Sequence, residues 1–255
     1  MGAAKPDYGR MAANYDRLRP IDENWWELFE AIVEAGDLAG RRVLDVGCGT
    51  GRVAAALNER GTKVWAVDPS PEMLERARAN VGRSVRLKRA PAETLPFKDG
   101  WFDRALLRLV VHVVDRPRAF AELFRVLQPG GRIVIATFAP EHFEGFWLYR
   151  LVPGLEEVDR PRMAGPATLC EELLGAGFGD PVDRRLRQTV RIDREEALAR
   201  IRGRYISGLT MLDDEAIERA VARAERELGE EVEYEVHWAI VTATRPRVDA
   251  VRRRS

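Results

Sequence analysis

The chain has 255 residues, and its 41 Lys and Arg side chains balance 41 Asp and Glu side chains, so no net charge draws it toward nucleic acid, a membrane surface or an acidic partner. Its first residues lack the apolar run of a secretory signal, and no stretch reaches the roughly 18 apolar residues of a spanning helix. Cys48 and Cys170 suggest neither a disulfide framework nor a zinc site, so we expect a soluble, cytoplasmic protein that binds no metal, nucleic acid or membrane.

From Arg41 to Phe138, short β-branched runs alternate with helical patterns, which is typical of a parallel sheet covered by helices. Ser70, Pro71 and Glu72 form the clearest helix start, because a capping hydroxyl precedes proline at the first helical position and an acid in the first turn. The elements predicted in this half are strand Val43–Val46, helix Gly51–Arg60, strand Lys63–Val67, helix Ser70–Asn80, strands Val85–Lys88 and Phe102–Leu107, helix Pro117–Leu127, a tight turn at Gln128–Gly131 and strand Arg132–Phe138. They predict a doubly wound sheet.

After Phe138 the alternation of strand and helix patterns ends, because the next segment is rich in aromatic residues and is interrupted by prolines and glycines. We predict that residues 139–165 form a lid over the open end of the sheet. The candidate substrate-side residues in this lid are Phe143, Phe146, Trp147 and Tyr149. The later elements predicted are helix Pro166–Ala176, strand Val182–Ile192, helices Arg194–Arg204 and Asp213–Leu228, and strand Val232–Thr244.

The sharpest motif is a strand that ends near the acid Asp45 and runs through Gly47, Gly49 and Gly51 into a helix. Alternate glycines let the backbone bend tightly and let a ligand lie against the main chain. The motif falls at the first strand-to-helix crossing, where open sheets of this class bind ligands. The third glycine comes one residue earlier than in a dinucleotide fingerprint, and the Asp45 carboxylate suits a cationic amino group better than a pyrophosphate. The motif therefore disfavours an NAD-dependent oxidoreductase; a plain glycine-rich turn is the structural alternative.

Asp68 ends the second predicted strand and is followed by Pro69 and Ser70. A carboxylate at this place can accept hydrogen bonds from both hydroxyls of an adenosine ribose, although aspartate before Pro-Ser is also an ordinary turn residue. The preceding glycine loop favours ribose binding. Met73, one turn into the next helix, suits either contact with an adenine ring or a place in the core.

In their order along the chain these motifs resemble the class I S-adenosylmethionine-dependent methyltransferases, in particular the small-molecule enzymes with a methyltransferase 11 type of domain. The resemblance covers Tyr15 to about Phe138, and its further marks are Ala92–Phe97, Trp101–Asp103 and Arg125–Gly131. It implies a Rossmann-like, doubly wound α/β fold whose mostly parallel seven-stranded sheet has an antiparallel last strand and a helical lid. It also implies S-adenosylmethionine as cofactor and S-adenosylhomocysteine as product.

The residues that the resemblance places against the cofactor are Tyr15, Arg19, Asp45, Gly47, Cys48, Gly49, Gly51, Asp68, Pro69, Met73, Ala92, Glu93 and Arg108. The glycine loop approaches the methionine part, Asp45 orients its amino group and Asp68 holds the ribose. Tyr15 and Arg19, in the covering segment 13–20, meet the methionine carboxylate, and Arg108 lies near the sulfonium. Ala92 and Glu93 flank the adenine. Pro91 stands where many relatives carry an aspartate that receives the adenine amino group.

The predicted organisation is one core with additions. Residues 1–40 cover the cofactor, 41–138 and 166–245 form the methyltransferase core with a helical insertion at about 193–228, residues 139–165 form the lid and 246–255 form a basic tail. The tail contains Arg252, Arg253 and Arg254, which suit contacts with phosphates. A solvated tail is the preferred interpretation, because no aromatic residues are interleaved with these arginines.

His112, just past the fourth predicted strand, is the candidate general base for an acceptor whose proton must leave early; a buried core histidine is the structural alternative. His142 is a weaker candidate, and His237 is expected to be structural. The chain lacks the Asn/Asp-Pro-Pro-Tyr/Phe sequence of enzymes that methylate exocyclic base amines, and neither cysteine resembles the nucleophile of a cytosine C5 enzyme. We therefore expect a small-molecule acceptor. A tRNA or protein methyltransferase and a non-catalytic S-adenosylmethionine-binding protein remain as alternatives.

Overall fold

The structure is a computed structural model that describes residues 6–12 and 14–247. Ala13 of the predicted covering segment and residues 248–255 of the predicted basic tail, with Arg252, Arg253 and Arg254, lie outside the described residues. The strands of the described chain are β1 (Arg42–Val46), β2 (Lys63–Asp68), β3 (Arg86–Arg89), β4 (Phe102–Arg108), β5 (Leu127–Phe138), β6 (Gly179–Asp193) and β7 (Glu231–Thr244).

Helices surround these strands. The described helices are α1 (Tyr8–Ala12), α2 (Glu23–Gly36), α3 (Arg52–Glu59), α4 (Pro71–Asn80), α5 (Arg116–Val126), α6 (His142–Gly145), α7 (Trp147–Leu151), α8 (Leu155–Asp159), α9 (Pro166–Gly175), α10 (Arg194–Arg202) and α11 (Asp214–Glu227), with a 3₁₀ helix at Ser207–Met211. The start of α4 is capped as expected, because the Ser70 hydroxyl accepts the N–H of Met73 at 3.2 Å. In the part of the chain described, no helix is long and apolar enough to cross a membrane.

The strands form one seven-stranded sheet in the order β3-β2-β1-β4-β5-β7-β6 within the described residues. The first five strands are parallel, and β7 runs antiparallel to β5 and β6. The predicted fold, a mostly parallel sheet with an antiparallel last strand, is confirmed. Chain order reverses between β1 and β4, which places the usual ligand crevice of such sheets at the carboxyl ends of these two strands.

Both faces of the central strands β1 and β4 are buried, and successive residues of each strand pack on opposite faces. In β1, Val43 packs into the hydrophobic cluster on one face, while Leu44 packs into the cluster on the other. In β4, Leu106 and Leu107 divide in the same way. Helices α2 and α3 contribute to the first cluster, and α5 and α9 contribute to the second. This packing holds the strand ends rigid beneath the loops that follow them.

The predicted turn at Gln128–Gly131 is corrected, because β5 already begins at Leu127 and includes these residues. The N–H of Gly130 donates to the carbonyl oxygen of Arg245 at 2.8 Å, and the N–H of Arg245 donates to the carbonyl oxygen of Gly131 at 2.8 Å. This pairing with the chain after β7 keeps the glycines in the sheet. The pairing of β4 with β5 is irregular at this point, with a shift of register between Phe102 and Arg104.

Candidate functional site

The glycine loop after β1 has the backbone shape that only its glycines adopt easily. Gly47, Gly49 and Gly51 have φ angles of 70°, 56° and 77°, in the left-handed region. A Cβ atom on Gly47 would lie 2.5 Å from a methyl group of Val110, and one on Gly51 would lie 2.5 Å from a methyl group of Val81. A Cβ atom on Gly49 would meet no described atom within 4 Å. Packing therefore requires the first and third glycines, whereas the middle one borders open space that suits a ligand.

Asp45 lies near the carboxyl end of β1 and is only 3% exposed. Its Oδ2 atom is buried and has no hydrogen-bond partner among residues 6–12 and 14–247. Burial raises the pKa of this carboxyl group to about 7; the Asp68 carboxylate adds to the shift, and the Arg108 guanidinium opposes it. Because an unpaired buried carboxylate is costly unless a cation joins it, this position fits the ammonium group of the expected cofactor.

Asp68, the last residue of β2, holds the glycine loop in place. Its Oδ2 accepts the N–H of Gly49 at 2.9 Å, and its Oδ1 accepts the N–H of Ser70 at 2.9 Å. Burial raises the pKa of Asp68, and these two backbone hydrogen bonds oppose the shift. Each oxygen keeps a second lone pair, so contact with ribose hydroxyls stays possible in principle and stays a prediction. The loop-holding role was not evident from the sequence.

The residues predicted to flank the adenine lie on neighbouring elements. Met73 is 1% exposed in α4 and packs against Met11 of α1, so it belongs to a small core cluster. Ala92 is also buried. The carboxylate of Glu93 accepts the N–H of Asp115 at 2.8 Å, just before α5. The side chain of Glu93 therefore braces a helix start, and its backbone is the part left for a ligand.

Cys48 and Pro69 lie beside the glycine loop. The N–H of Cys48 donates to the carbonyl oxygen of Val67 at 3.0 Å. Burial raises the pKa of the Cys48 thiol well above its usual value, and the carboxylates of Asp45 and Asp68 add to the shift. The thiol is therefore protonated at neutral pH and is not an activated nucleophile. Pro69 is exposed, and its carbonyl oxygen accepts a hydrogen bond from the Arg89 side chain.

Residues 14–20, the described part of the covering segment, are fastened to the helix that follows the glycine loop. The hydroxyl of Thr50 donates to Oδ1 of Asp16 at 2.7 Å, and the Arg52 guanidinium lies 3.5 Å from the same carboxylate. Arg52 also donates to the carbonyl oxygen of Arg19. The Arg19 guanidinium lies 3.9 Å from the ring centroid of Tyr15. This arrangement brings Tyr15 and Arg19 to the wall of the main cavity.

The main cavity lies beside the carboxyl ends of the strands and has a volume of about 200 Å³. Of the predicted substrate-side residues, Phe146 and Tyr149 line it. Phe143 and Trp147 do not line it: Phe143 stacks on Tyr149, and Trp147 packs edge-on against Phe146 in the core, so their substrate-side role stays a prediction. The other aromatic lining residues are Tyr8, Trp25, Phe138, Tyr205, Tyr234 and Trp238.

Most polar side chains on the cavity wall are paired with one another. The Trp238 indole N–H donates to Oε1 of Gln188 at 2.8 Å, and Nε2 of Gln188 donates to the carbonyl oxygen of Asn24 at 2.8 Å. Arg200 donates to the hydroxyl of Tyr234 at 2.6 Å. These groups line the cavity with their hydrogen-bonding capacity already used.

His112, the candidate general base, also lines the cavity. Its Nε2 lies 3.4 Å from the Ser207 hydroxyl, and its buried Nδ1 has no partner among the described residues. Burial lowers the pKa of His112 to about 3, and the charge of Arg162 adds to the shift. The ring is therefore uncharged at neutral pH, able to accept a hydrogen bond but weak as a base.

The other two histidines differ from each other. His142 lines the cavity, stacks on Phe138 with 4.0 Å between ring centroids, and has its pKa lowered to about 3 by burial and then by the charge of His237. His237 lies outside the cavity lining, with its Nε2 3.1 Å from the Glu235 carboxylate. His142 is thus the better placed of the two for contact with an acceptor.

Comparison with known proteins matches this site to one family. A family profile described as a methyltransferase domain matches residues 44–135. An uncharacterised methyltransferase of Mycobacterium bovis is 43% identical over 126 residues, which are 49% of this chain and 49% of that protein. The chain thus spans about half the length of that relative. A demethylmenaquinone methyltransferase of Thermus thermophilus is 36% identical over 156 residues, which are 56% of this chain and 70% of that protein.

Solved structures match the fold over a longer range. The YcgJ protein of Bacillus subtilis superimposes with a TM-score of 0.63 at 20% identity, covering 87% of this chain and 99% of that one. At this identity the likeness concerns the fold, which therefore extends beyond the residues that the family profile matches.

Proposed function

Because this chain belongs to the class I S-adenosylmethionine-dependent methyltransferases, we propose that it transfers a methyl group from S-adenosylmethionine to a small-molecule acceptor by in-line displacement. The observation that carries the proposal is the unpaired, buried carboxylate of Asp45, set beside a glycine loop whose middle residue, Gly49, faces open space. A cationic ligand lying against the main chain satisfies both features at once.

In this proposal Asp45 pairs with the ammonium group of the cofactor, and Asp68 accepts hydrogen bonds from its ribose. Tyr15 and Arg19 meet the methionine carboxylate from the covering segment. The remaining contacts come from the glycine loop with Cys48, from Pro69 and Met73, and from the backbone at Ala92 and Glu93. When bound, S-adenosylmethionine supplies a methyl group that its sulfonium centre has already activated.

The protein contributes mainly alignment of the acceptor and exclusion of water. Holding two reactants in line can supply on the order of 7–11 kcal/mol of barrier reduction. The aromatic wall formed by Trp25, Phe138 and Phe146 suits this task, because flat rings fix a flat acceptor with little loss of side-chain freedom. His112 orients the acceptor by accepting a hydrogen bond, and it takes a proton only as the acceptor becomes strongly acidic during transfer.

A small acceptor is favoured over tRNA or protein for two reasons. The cavity is lined largely by apolar and aromatic side chains, including Tyr8 and Met11 of α1, which suits a compact acceptor with apolar area. Charges balance over the whole chain, which gives no basis for a polyanion-binding face. The demethylmenaquinone methyltransferase among the relatives is named for a small-molecule acceptor, which agrees with this proposal. Cytoplasmic location stays a prediction.

Calorimetric titration of the purified protein with S-adenosylmethionine, S-adenosylhomocysteine and NAD⁺ tests the proposal. We expect micromolar affinity for the first two and no binding of NAD⁺. Asp68→Ala should lose about 10- to 100-fold in affinity, the effect of removing hydrogen bonds to a charged group. Asp99→Ala, which changes an exposed aspartate, is the matched control. Well-folded wild-type protein that binds neither sulfur ligand would refute the proposal.

Asp16→Ala should speed dissociation of S-adenosylhomocysteine about tenfold, because it removes the contacts that fasten the covering segment to Thr50 and Arg52. Stopped-flow tryptophan fluorescence measures this rate. Arg17→Ala is the control, since Arg17 is exposed in the same segment and bonds within it to Asn14. Equal dissociation rates for the two variants would show that Asp16 does not hold the segment closed.

A further inference from the structure

Arg108 is the last residue of β4, and its guanidinium lines the cavity without a protein partner. No hydrogen bond or ion pair joins it to any residue in the described ranges 6–12 and 14–247, and its nearest aromatic contact is Trp25, 5.8 Å from the ring centroid. Arg104, on the same strand, shows the contrast: it donates to the carbonyl oxygens of Gly36 at 2.9 Å and Asp37 at 3.1 Å. Arg108 is half-buried, and its guanidinium has no acceptor among the described residues, so its donors are free to bind a ligand oxygen in the cavity.

The charges around Arg108 indicate the sign of that ligand. Burial lowers the pKa of Arg108; Tyr15 and Asp45 oppose the shift, whereas the nearby Arg19 and Arg52 guanidinium groups add to it. Arg52 has its own partner in Asp16, and Asp45 is committed to the ammonium group of the cofactor in the proposed function. In the same proposal, the methionine carboxylate of the cofactor balances the positive charge of Arg19.

In this arrangement neither the sulfonium nor the Arg108 guanidinium is paired with a carboxylate, because the nearby Asp68 carboxylate is held by the N–H groups of Gly49 and Ser70. In a site of low dielectric, two such charges near each other repel strongly. A neutral acceptor would leave both uncompensated, whereas an acceptor with one negative oxygen relieves the repulsion.

The rest of the cavity wall limits what else the acceptor carries. The polar groups of Gln188, Arg200, Tyr234 and Trp238 already bond to protein partners. The other lining residues on this wall are mainly apolar or aromatic. Away from its charged end the acceptor is therefore mainly apolar and ring-shaped, with room for one group that donates a hydrogen bond to an unpartnered Nδ1 of His112 or His142.

We propose that the acceptor is an aromatic acid, whose anionic oxygen pairs with Arg108 and whose ring lies against Trp25 and Phe138. This inference rests on the proposed function, because the charge count includes the bound cofactor. Arg108 is then a specificity-determining residue: it selects an ionised acceptor over a neutral analogue of the same shape.

The test uses matched probes that differ in charge, benzoate with benzamide and 2-naphthoate with 2-naphthamide. They are titrated into protein saturated with S-adenosylmethionine, which carries the sulfonium charge, and into protein saturated with S-adenosylhomocysteine, which lacks it. We expect at least one acid to bind about tenfold or more tightly than its amide. Arg108→Met should abolish that preference, and Arg108→Lys should keep part of it, since the charge remains while the planar donor set is lost. Arg108→Met is expected to fold, because methionine replaces a half-buried cation that has no partner among the described residues.

Each outcome has a separate meaning. If wild-type protein does not bind S-adenosylhomocysteine, the proposed function fails and this inference fails with it. If S-adenosylhomocysteine binds but no acid is preferred, including the case in which no probe binds, the inference alone is overturned. It is also overturned if Arg108→Met keeps the preference for the acid, or if the variant loses S-adenosylhomocysteine affinity about 30-fold or more, because Arg108 would then serve the methionine carboxylate.

Discussion

Asp45→Asn is expected to stabilise the ligand-free protein while weakening its binding of S-adenosylmethionine about 100-fold. The stabilisation follows because the wild-type carboxylate is buried with no partner for Oδ2 among the described residues, and an amide carries no charge to desolvate. The loss of affinity follows because the same charge is the counterion of the cofactor ammonium in the proposed site. Asp45→Asn thus separates the stability of the ligand-free protein, which the carboxylate lowers, from the affinity for the cofactor, which the carboxylate raises.

The stabilisation depends on pH, and its sign follows from the direction of the pKa shift. The folded-state pKa of Asp45 is raised to about 7 from an ordinary value of 3.8. Between these values the folded protein holds a proton that the unfolded chain has released, so the free energy of unfolding of the wild type falls as pH rises. The difference between Asp45→Asn and wild type should be near zero at pH 4 and grow to on the order of 4 kcal/mol above pH 7.

Urea unfolding of both proteins at several pH values, without ligand, measures this difference. Asp103→Asn is the matched control, because Arg42 donates to Asp103 through its N–H at 2.8 Å and its guanidinium at 3.0 Å. Burial opposes ionisation of Asp103, but these bonds to Arg42 outweigh it and leave its pKa lowered, so its substitution should destabilise the protein at neutral pH. A destabilised Asp45→Asn, or a difference that does not vary with pH, would contradict the interpretation of Asp45 as an unpaired charge.

The elements of the fold that could be predicted are those with local signals. The glycine loop, the capped start of α4 at Ser70 and the buried strands β1, β2 and β4 each follow from a few adjacent residues. The segment Gln128–Gly131 misled the prediction because its glycines usually mark a turn, whereas here a partner more than a hundred residues away, Arg245, pairs with them. The 3₁₀ helix at Ser207–Met211 has no comparable local signal.

The residues of the candidate site likewise fall into those that could be predicted from the sequence and those that could not. Asp45, Asp68 and the glycines could be singled out because the topology of a doubly wound sheet brings the ends of consecutive strands together. Phe146 and Tyr149 of the main cavity were also predicted, but most of its wall could not be, because it combines Trp25 of α2 with Gln188 of β6 and with β7, and such contacts depend on tertiary packing. The pairing of Gln188 with Trp238 and the lack of a partner for Arg108 among the described residues are visible only in three dimensions.

Gly49→Ala is expected to abolish binding of S-adenosylmethionine and S-adenosylhomocysteine with a small effect on folding. Its φ angle of 56° costs alanine about 1–2 kcal/mol. No described atom lies within 4 Å of the added methyl group, so the fold has room for it. In the proposed site that room belongs to the ligand, and the methyl group would keep the cofactor from lying against the main chain.

Gly82→Ala is the control that separates backbone strain from obstruction of the ligand. Gly82 also has a positive φ, 64°, and also has no described atom within 4 Å of an added Cβ, but it lies in the exposed turn after α4. In urea unfolding, the free energy of unfolding of both variants should fall by a similar amount, about 1–2 kcal/mol. Gly47→Ala should lose more, because its methyl group would overlap Val110 at 2.5 Å and overpacking adds about 1–3 kcal/mol.

The order of the variants by affinity for S-adenosylhomocysteine, measured by calorimetry, should then differ from their order by stability. Gly82→Ala should bind within about threefold of the wild type, since a strain of this size in a remote turn acts on unfolding and not on the site. Gly49→Ala should bind at least about 100-fold more weakly although it unfolds at nearly the same urea concentration. If Gly49→Ala instead binds as Gly82→Ala does, the space beside Gly49 is not where the cofactor lies, and the assignment of Asp45 to its ammonium group loses the geometry on which it depends.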